Sequence, residues 1–198
     1  MKDPVLSFQV MEDLDTLIRG CTLCELFRSR TKAVPGEGKT RSPELMIVGE
    51  APGRNEDLKG RPFVGAGGKL LDSLLEKAGL RREDVFITNV VKCRPPKNRK
   101  PKPEEIEICA KHYLENQIKL VSPKLVCTLG ATALQYFTGE KTMGSNHGKL
   151  LESKSGYKVY PNYHPAAIFR NRPLKQVLDE DLTRIPSILK QFERENAT

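Results

Sequence analysis

Residues 49–72 read GEAPGRNEDLKGRPFVGAGGKLLD and follow Leu45-Met46-Ile47-Val48. That short apolar run is the kind that forms a strand buried on both faces of a parallel sheet. Glu50-Ala51-Pro52-Gly53 turns the chain at the strand end. A polar loop follows, with Phe63 between Pro62 and Val64, and Gly65, Gly67 and Gly68 permit close backbone approach. From Lys69 the spacing predicts a helix with Leu70, Leu71, Leu74, Leu75 and Ala78 on one face and a terminating cap at Gly79. Strand, loop and helix in this order predict an α/β fold, in which ligands sit beyond the carboxyl ends of the strands.

The loop chemistry permits two readings. Glu50, directly after a buried strand, is either a capping carboxylate or a charge that a site uses. Phe63 is either a plug beneath the loop or an aromatic face offered to a flat ligand. Phosphate cradling is disfavoured. Gly68-Lys69 resembles the end of a P-loop, but Phe63 occupies the place of its first Gly and Leu70 that of its Ser/Thr. The dinucleotide fingerprint is absent as well.

Working outward, a length of 198 residues predicts one domain, 1–198, with a core of its own. No apolar run approaches bilayer length, and Glu12, Asp13 and Asp15 argue against a signal peptide. A cytoplasmic protein with no membrane partner is the expectation. Lys and Arg number 33 against 25 Asp and Glu, a formal charge of +8 that favours an anionic partner such as nucleic acid.

Five cysteines in an intracellular chain point to metal or catalysis rather than to disulfides. Cys127, inside the apolar strand 125–129, reads as a small core hydrophobe. Cys21 and Cys24 form a C-x-x-C, with Cys93 and Cys109 far downstream. These four suit a structural Zn or an iron–sulfur cluster, although the spacing matches neither a zinc ribbon nor a ferredoxin.

A short amphipathic helix is expected over 11–19, with Met11, Leu14, Leu17 and Ile18 on one side. The strand 85–91 contains Asn89, either bonded to neighbouring backbone or aimed at a ligand whose edge pairs a donor with an acceptor. Residues 92–103 carry six cations and four prolines, a semi-rigid loop suited to a phosphate backbone or merely to solvent. A helix starts near Pro103, and Cys109 lies on its inner face. Leu150-Leu151 and residues 157–160 read as a hairpin or two short strands, and 174–192 as a helix interrupted at Pro186. His164, before Pro165, is held extended. Ile168 and Phe169 beside Arg170 and Arg172 form either a packed loop or a wedge for a base stack.

GEAPGRNEDLKGRPFVG, TNVVKCRPP and HPAAIFRN, in this order and with the four cysteines, resemble the family 4 (thermophilic, iron–sulfur) uracil-DNA glycosylases over nearly the whole chain. The resemblance implies a three-layer α/β/α fold with a mainly parallel sheet, and base excision repair of uracil-containing DNA, single- or double-stranded, as the function. It implies that Cys21, Cys24, Cys93 and Cys109 ligate a structural [4Fe–4S] cluster. Phe63 stacks on the extruded uracil, Asn89 reads its N3–H and O4, and His164 donates to O2 as the base leaves. Glu50, Ala51 and Pro52 line the base, and Ile168 or Phe169, flanked by Arg170 and Arg172, fills the vacated stack. Better-known superfamily members carry an Asp where this chain has Ala51, which leaves Glu50 as the catalytic carboxylate. A related branch traps the sugar through a His in the basic loop. Here the loop after Cys93 has none, so ordinary turnover is expected. A nucleoid-associated monomer is expected, with a replication clamp as a possible partner although no clamp motif is visible. Rival readings are a non-catalytic nucleic-acid-binding module with a structural Zn, and an iron–sulfur redox protein.

Overall fold

The computed structural model describes residues 10–195. The expectation about a signal peptide and the outer limits of the expected domain thus lie partly outside the described residues. Among the described residues six strands form one sheet: β1 (Glu37–Gly38), β2 (Leu45–Gly49), β3 (Phe86–Asn89), β4 (Leu125–Leu129), β5 (Leu151–Glu152) and β6 (Lys158–Asn162), in the order β1-β3-β2-β4-β6-β5. The middle four are parallel, and the two-residue strands β1 and β5 close the edges antiparallel. Both β2 and β4 are buried at every residue, which explains their unbroken apolar sequences. Register places Gly49 opposite Asn89, and Leu129 opposite Asn162, so the four parallel strands finish along one edge.

Helices cover both faces, the three layers that the family resemblance implies. On one face α1 (Met11–Gly20), α4 (Pro103–Cys109), α5 (Glu115–Val121) and α6 (Ala131–Thr138) pack against Met46, Val48, Phe86, Val126 and Val159. A π-helical turn, Ala110–Leu114, joins α4 to α5 directly after Cys109. On the other face α3 (Ala66–Lys77) and α7 (Leu174–Glu195) cover Leu45, Ile47, Ile87, Cys127 and Tyr160.

Local departures from expectation have identifiable causes. Residues 54–59, expected as loop, form the short helix α2 (Arg54–Lys59), which ends at Gly60 with φ +71°. It lacks an apolar stripe and is held by polar bonds, so periodicity does not reveal it. The next helix starts at Ala66 rather than Lys69, because Gly67 and Gly68 lie inside it. A Cβ on Gly68 would meet the Phe63 carbonyl oxygen at 1.9 Å, so close packing outweighs the helix cost of glycine. The strand expected over 85–91 is regular only over Phe86–Asn89. Leu17 is exposed, leaving Met11, Leu14 and Ile18 as the buried stripe of α1. Pro186 does not interrupt α7. Leu182, Ile185, Leu189 and Phe192 keep one buried stripe through it, and their packing outweighs a lost backbone hydrogen bond. Residues 151–162 form the hairpin, pairing Leu151 with Val159.

Candidate active site and cysteine centre

A cleft of about 930 Å³ opens beyond the carboxyl ends of the parallel strands. Glu50, Ala51, Pro52, Phe63, Asn89 and His164 all line it, together with Phe169 and Arg170. The adjacent pair at 168 and 169 divides. Ile168 packs on the core beneath α3 and α7, whereas Phe169 is 61 % exposed at the cleft. Arg172 is exposed and stands outside the cleft lining.

Phe63 is buried and carries φ +50°, a conformation rare for an aromatic residue. Three side chains hold it there. Glu56 accepts hydrogen bonds from the amides of Gly53 (3.1 Å), Val64 (2.8 Å) and Gly65 (2.8 Å), fixing the loop on both sides. Arg82 donates to the Pro62 carbonyl at 2.7 Å and pairs with Glu37 and Asp72. Burial pushes the Glu37 carboxyl up, but Arg61 and Arg82 outweigh it and hold it below its ordinary range. Asp57 completes the loop by accepting from the amides of Thr31 and Lys32. Neither the hold of Glu56 on this loop nor the convergence of Arg82, Glu37 and Asp72 is marked in the sequence.

Asn89, at the end of β3, is 2 % exposed, and its Oδ1 has no hydrogen-bond partner among the described residues. Leaving a buried acceptor unpaired costs about 1–3 kcal/mol. Its carboxamide faces the cleft beneath Phe63: a Cβ added to Gly49 would touch Asn89 Oδ1 at 2.4 Å and Phe63 Cζ at 2.6 Å. His164, half-buried, stacks on Phe63 with ring centroids 5.6 Å apart and planes inclined by 27°. Its Nδ1 accepts from the Ala166 amide at 3.1 Å, which leaves the proton of the neutral ring on Nε2. Burial pushes the imidazole below its ordinary value, with Glu50 and Glu56 opposing. Glu50 is half-buried, and its Oε2 accepts from the hydroxyl of Thr132 in the first turn of α6. Nothing in the sequence marks Thr132.

Cys21, Cys24, Cys93 and Cys109 line one cavity with Leu26, Lys92 and Tyr113. Cys127 lies apart in the sheet core, where burial pushes its thiol up to about 12. Donors already address the sulfurs: Arg30 Nη1 reaches Cys93 Sγ at 2.9 Å, and the Lys92 amide reaches Cys109 Sγ at 3.2 Å. Burial raises the thiols of Cys24 and Cys93, and that of Cys109 to about 12, with Arg30 opposing at Cys93 and Lys92 at Cys109. No three His, Cys, Asp or Glu among the described residues are placed to hold a single ion. Lys92, counted with the cations of the basic loop, is instead fully buried, because three oxygens accept its ammonium protons. Burial pushes that ammonium down to about 7. In the same loop Arg99 is engaged by Glu105, while Lys97 and Lys100 are exposed.

The model of the uracil DNA glycosylase superfamily matches residues 35–183. A type-4 uracil-DNA glycosylase of Saccharolobus solfataricus is 46 % identical over 191 residues, covering 90 % of this chain and 88 % of that protein. The type-4 enzyme of Thermotoga maritima is 43 % identical over 187 residues, covering 92 % of this chain and 96 % of its own. That of Archaeoglobus fulgidus is 46 % identical over 186 residues, covering 88 % and 92 % respectively. The matched span runs from the loop before β1 into α7 and so contains the entire sheet, the cleft at its carboxyl edge, Cys93 and Cys109. With a cleft at the expected edge of the expected sheet and relatives along nearly its full length, the chain belongs to the uracil DNA glycosylase superfamily.

Proposed function

We infer that the protein is a DNA-repair glycosylase that flips uracil out of DNA and hydrolyses its N-glycosidic bond, leaving an abasic site. The observation that carries the reading of the site is the unpaired, buried Oδ1 of Asn89, an acceptor that the N3–H of uracil satisfies. Nδ2 of the same amide then donates to O4. Cytosine presents an acceptor and a donor in those two places, so it leaves both partners mismatched. Phe63 stacks on the flipped base, and Ala51 and Pro52 close around it.

In the reaction the C1′–N1 bond breaks and its electron pair passes into the uracil ring. The negative charge reaches O2, where the Nε2–H of neutral His164 donates. Glu50, oriented by Thr132, positions a water molecule and takes its proton as the water oxygen bonds to C1′ of the oxocarbenium-like sugar. Phe169 fills the gap in the stack, and Arg170 and Arg172 contact phosphates beside it. Flipping costs a few kcal/mol and is cheapest for mispaired or single-stranded uracil. A monomer working in the cytoplasm beside the nucleoid is part of the same proposal. Asn89→Asp tests the base-reading role: cleavage at uracil should fall, and cleavage at cytosine should appear in the same oligonucleotide context. An Asp variant that still rejects cytosine and cleaves uracil at the native rate removes Asn89 from base reading.

The four cysteines fit a [4Fe–4S] cluster: they line one cavity with four soft ligands, and N–H donors are already directed at three of the sulfurs. Such a cluster supplies cross-links, here between the C-x-x-C after α1, the segment after β3 and the end of α4. Purified protein should contain iron and inorganic sulfide and absorb in the visible. Cys109→Ser should lose that absorption and cost on the order of 4 kcal/mol, or ~10 °C in Tm. Zinc without iron, in protein purified anaerobically, would replace the cluster by a single ion.

A further inference from the structure

We propose that Lys92 is a positioning residue for uracil recognition, holding the Asn89 peptide in place and tying it to the cysteine centre. Its ammonium is fully buried and uses all three of its donors, on Asn89 O (2.6 Å), Gln117 Oε1 (2.6 Å) and Thr88 Oγ1 (2.8 Å). A buried charge is expensive, and an apolar side chain of the same length would serve core packing at lower cost. What the ammonium adds is direction.

Asn89 needs that direction. Strand β1 pairs with β3 only at Ile87 and Phe86, so the Asn89 carbonyl lies past the last rung on that side, and Lys92 supplies its partner. On the other side the ladder continues, with the Val90 amide on Gly49 O at 2.9 Å and the Val91 amide on Glu50 O at 3.2 Å. The backbone of Lys92 is itself pinned: its amide donates to Cys109 Sγ, and its carbonyl accepts from Val34 at 2.8 Å. The residue therefore emerges from the cysteine centre and folds back three positions to brace the residue that meets the base. The position of the Asn89 carboxamide is thus set from the cysteine side.

This inference rests on the reading of Asn89 as the base reader. The test uses the full-length, iron-loaded protein and four variants: Lys92→Met, Thr88→Val, Thr88→Ser and Asn89→Ala. For each, inhibition by free uracil, affinity for a duplex carrying a tetrahydrofuran abasic-site analogue, and iron content are measured. Lys92→Met should weaken inhibition by uracil about tenfold, since small displacements of a positioned group carry large costs. Affinity for the abasic-analogue duplex should stay within about twofold of native, because that ligand has no base for Asn89 to read. Thr88→Val should shift uracil inhibition in the same direction by less, and Thr88→Ser, which restores the hydroxyl, should return it to native.

Parallel loss of uracil and abasic-analogue binding would overturn the proposal in favour of a general structural role. So would an unchanged uracil constant in Lys92→Met. If Lys92→Met loses iron, the Thr88 pair decides, and equal behaviour of Val and Ser overturns the proposal. An unchanged uracil constant in Asn89→Ala would defeat the underlying reading, and the proposal with it. A weakened Asn89→Ala beside a native-like Lys92→Met would defeat the proposal alone.

Discussion

Replacing His164 by Ala should slow uracil release by about 10²–10³-fold in single turnover, the usual effect of removing one donor to a developing anion. Binding of uracil-containing DNA should change far less, because the donor acts most strongly when charge has moved onto O2. The structure specifies which proton matters. The Ala166 amide occupies Nδ1, so the neutral ring presents Nε2–H, and ¹⁵N-resolved spectra of the imidazole should find the proton there. The pH dependence follows in sign. Burial, with Glu50 and Glu56 opposing, keeps the imidazole below its ordinary value of 6.5, so the folded protein binds fewer protons than the unfolded chain. Activity and the associated stability are intact above 6.5 and are lost only as the pH falls through the lower, folded value. At that point Nδ1 takes a proton and its bond from Ala166 is broken. An acid limb in the native rate profile lying above the ordinary imidazole value would contradict this assignment.

A comparable loss, on the order of 10²-fold, is expected from Gly49→Ala, a change of one methyl group. The added carbon would fall 2.4 Å from Asn89 Oδ1 and 2.6 Å from Phe63 Cζ. Both neighbours are ends of side chains, so the protein should fold while Asn89 and Phe63 are pushed apart. The loss should therefore appear in inhibition by free uracil as well as in the cleavage rate. Gly20→Ala is the matching control. No atom lies within 4 Å of a Cβ built there, and neither rate nor inhibition should change. A Gly49→Ala enzyme with native kinetics would mean that the geometry beneath Phe63 does not matter to the reaction.

The sequence made the frame legible because buried parallel strands leave a plain trace. Apolar runs at 45–48 and 125–129 mark central strands, and the residues that follow them in the chain reach the cleft. Cys127 could be separated from the other cysteines by the strand it occupies. Sequence left Ile168 and Phe169 equivalent, since adjacent apolar residues differ only in which one the fold covers. The polar scaffold was not legible. Glu56, Arg82 and Thr132 act through partners distant in the chain or hidden in a helix without an apolar stripe. Lys92 reads as one more cation in a basic loop, because charge in a sequence says nothing about which ammonium finds three buried oxygens.

The most direct test is single-turnover cleavage of a labelled oligonucleotide carrying one uracil, by the purified protein. The account predicts abasic sites at the uracil alone, none at a cytosine in the same position, and near-complete loss of product with His164→Ala. Intact oligonucleotide after incubation with folded protein that binds the strand would contradict it.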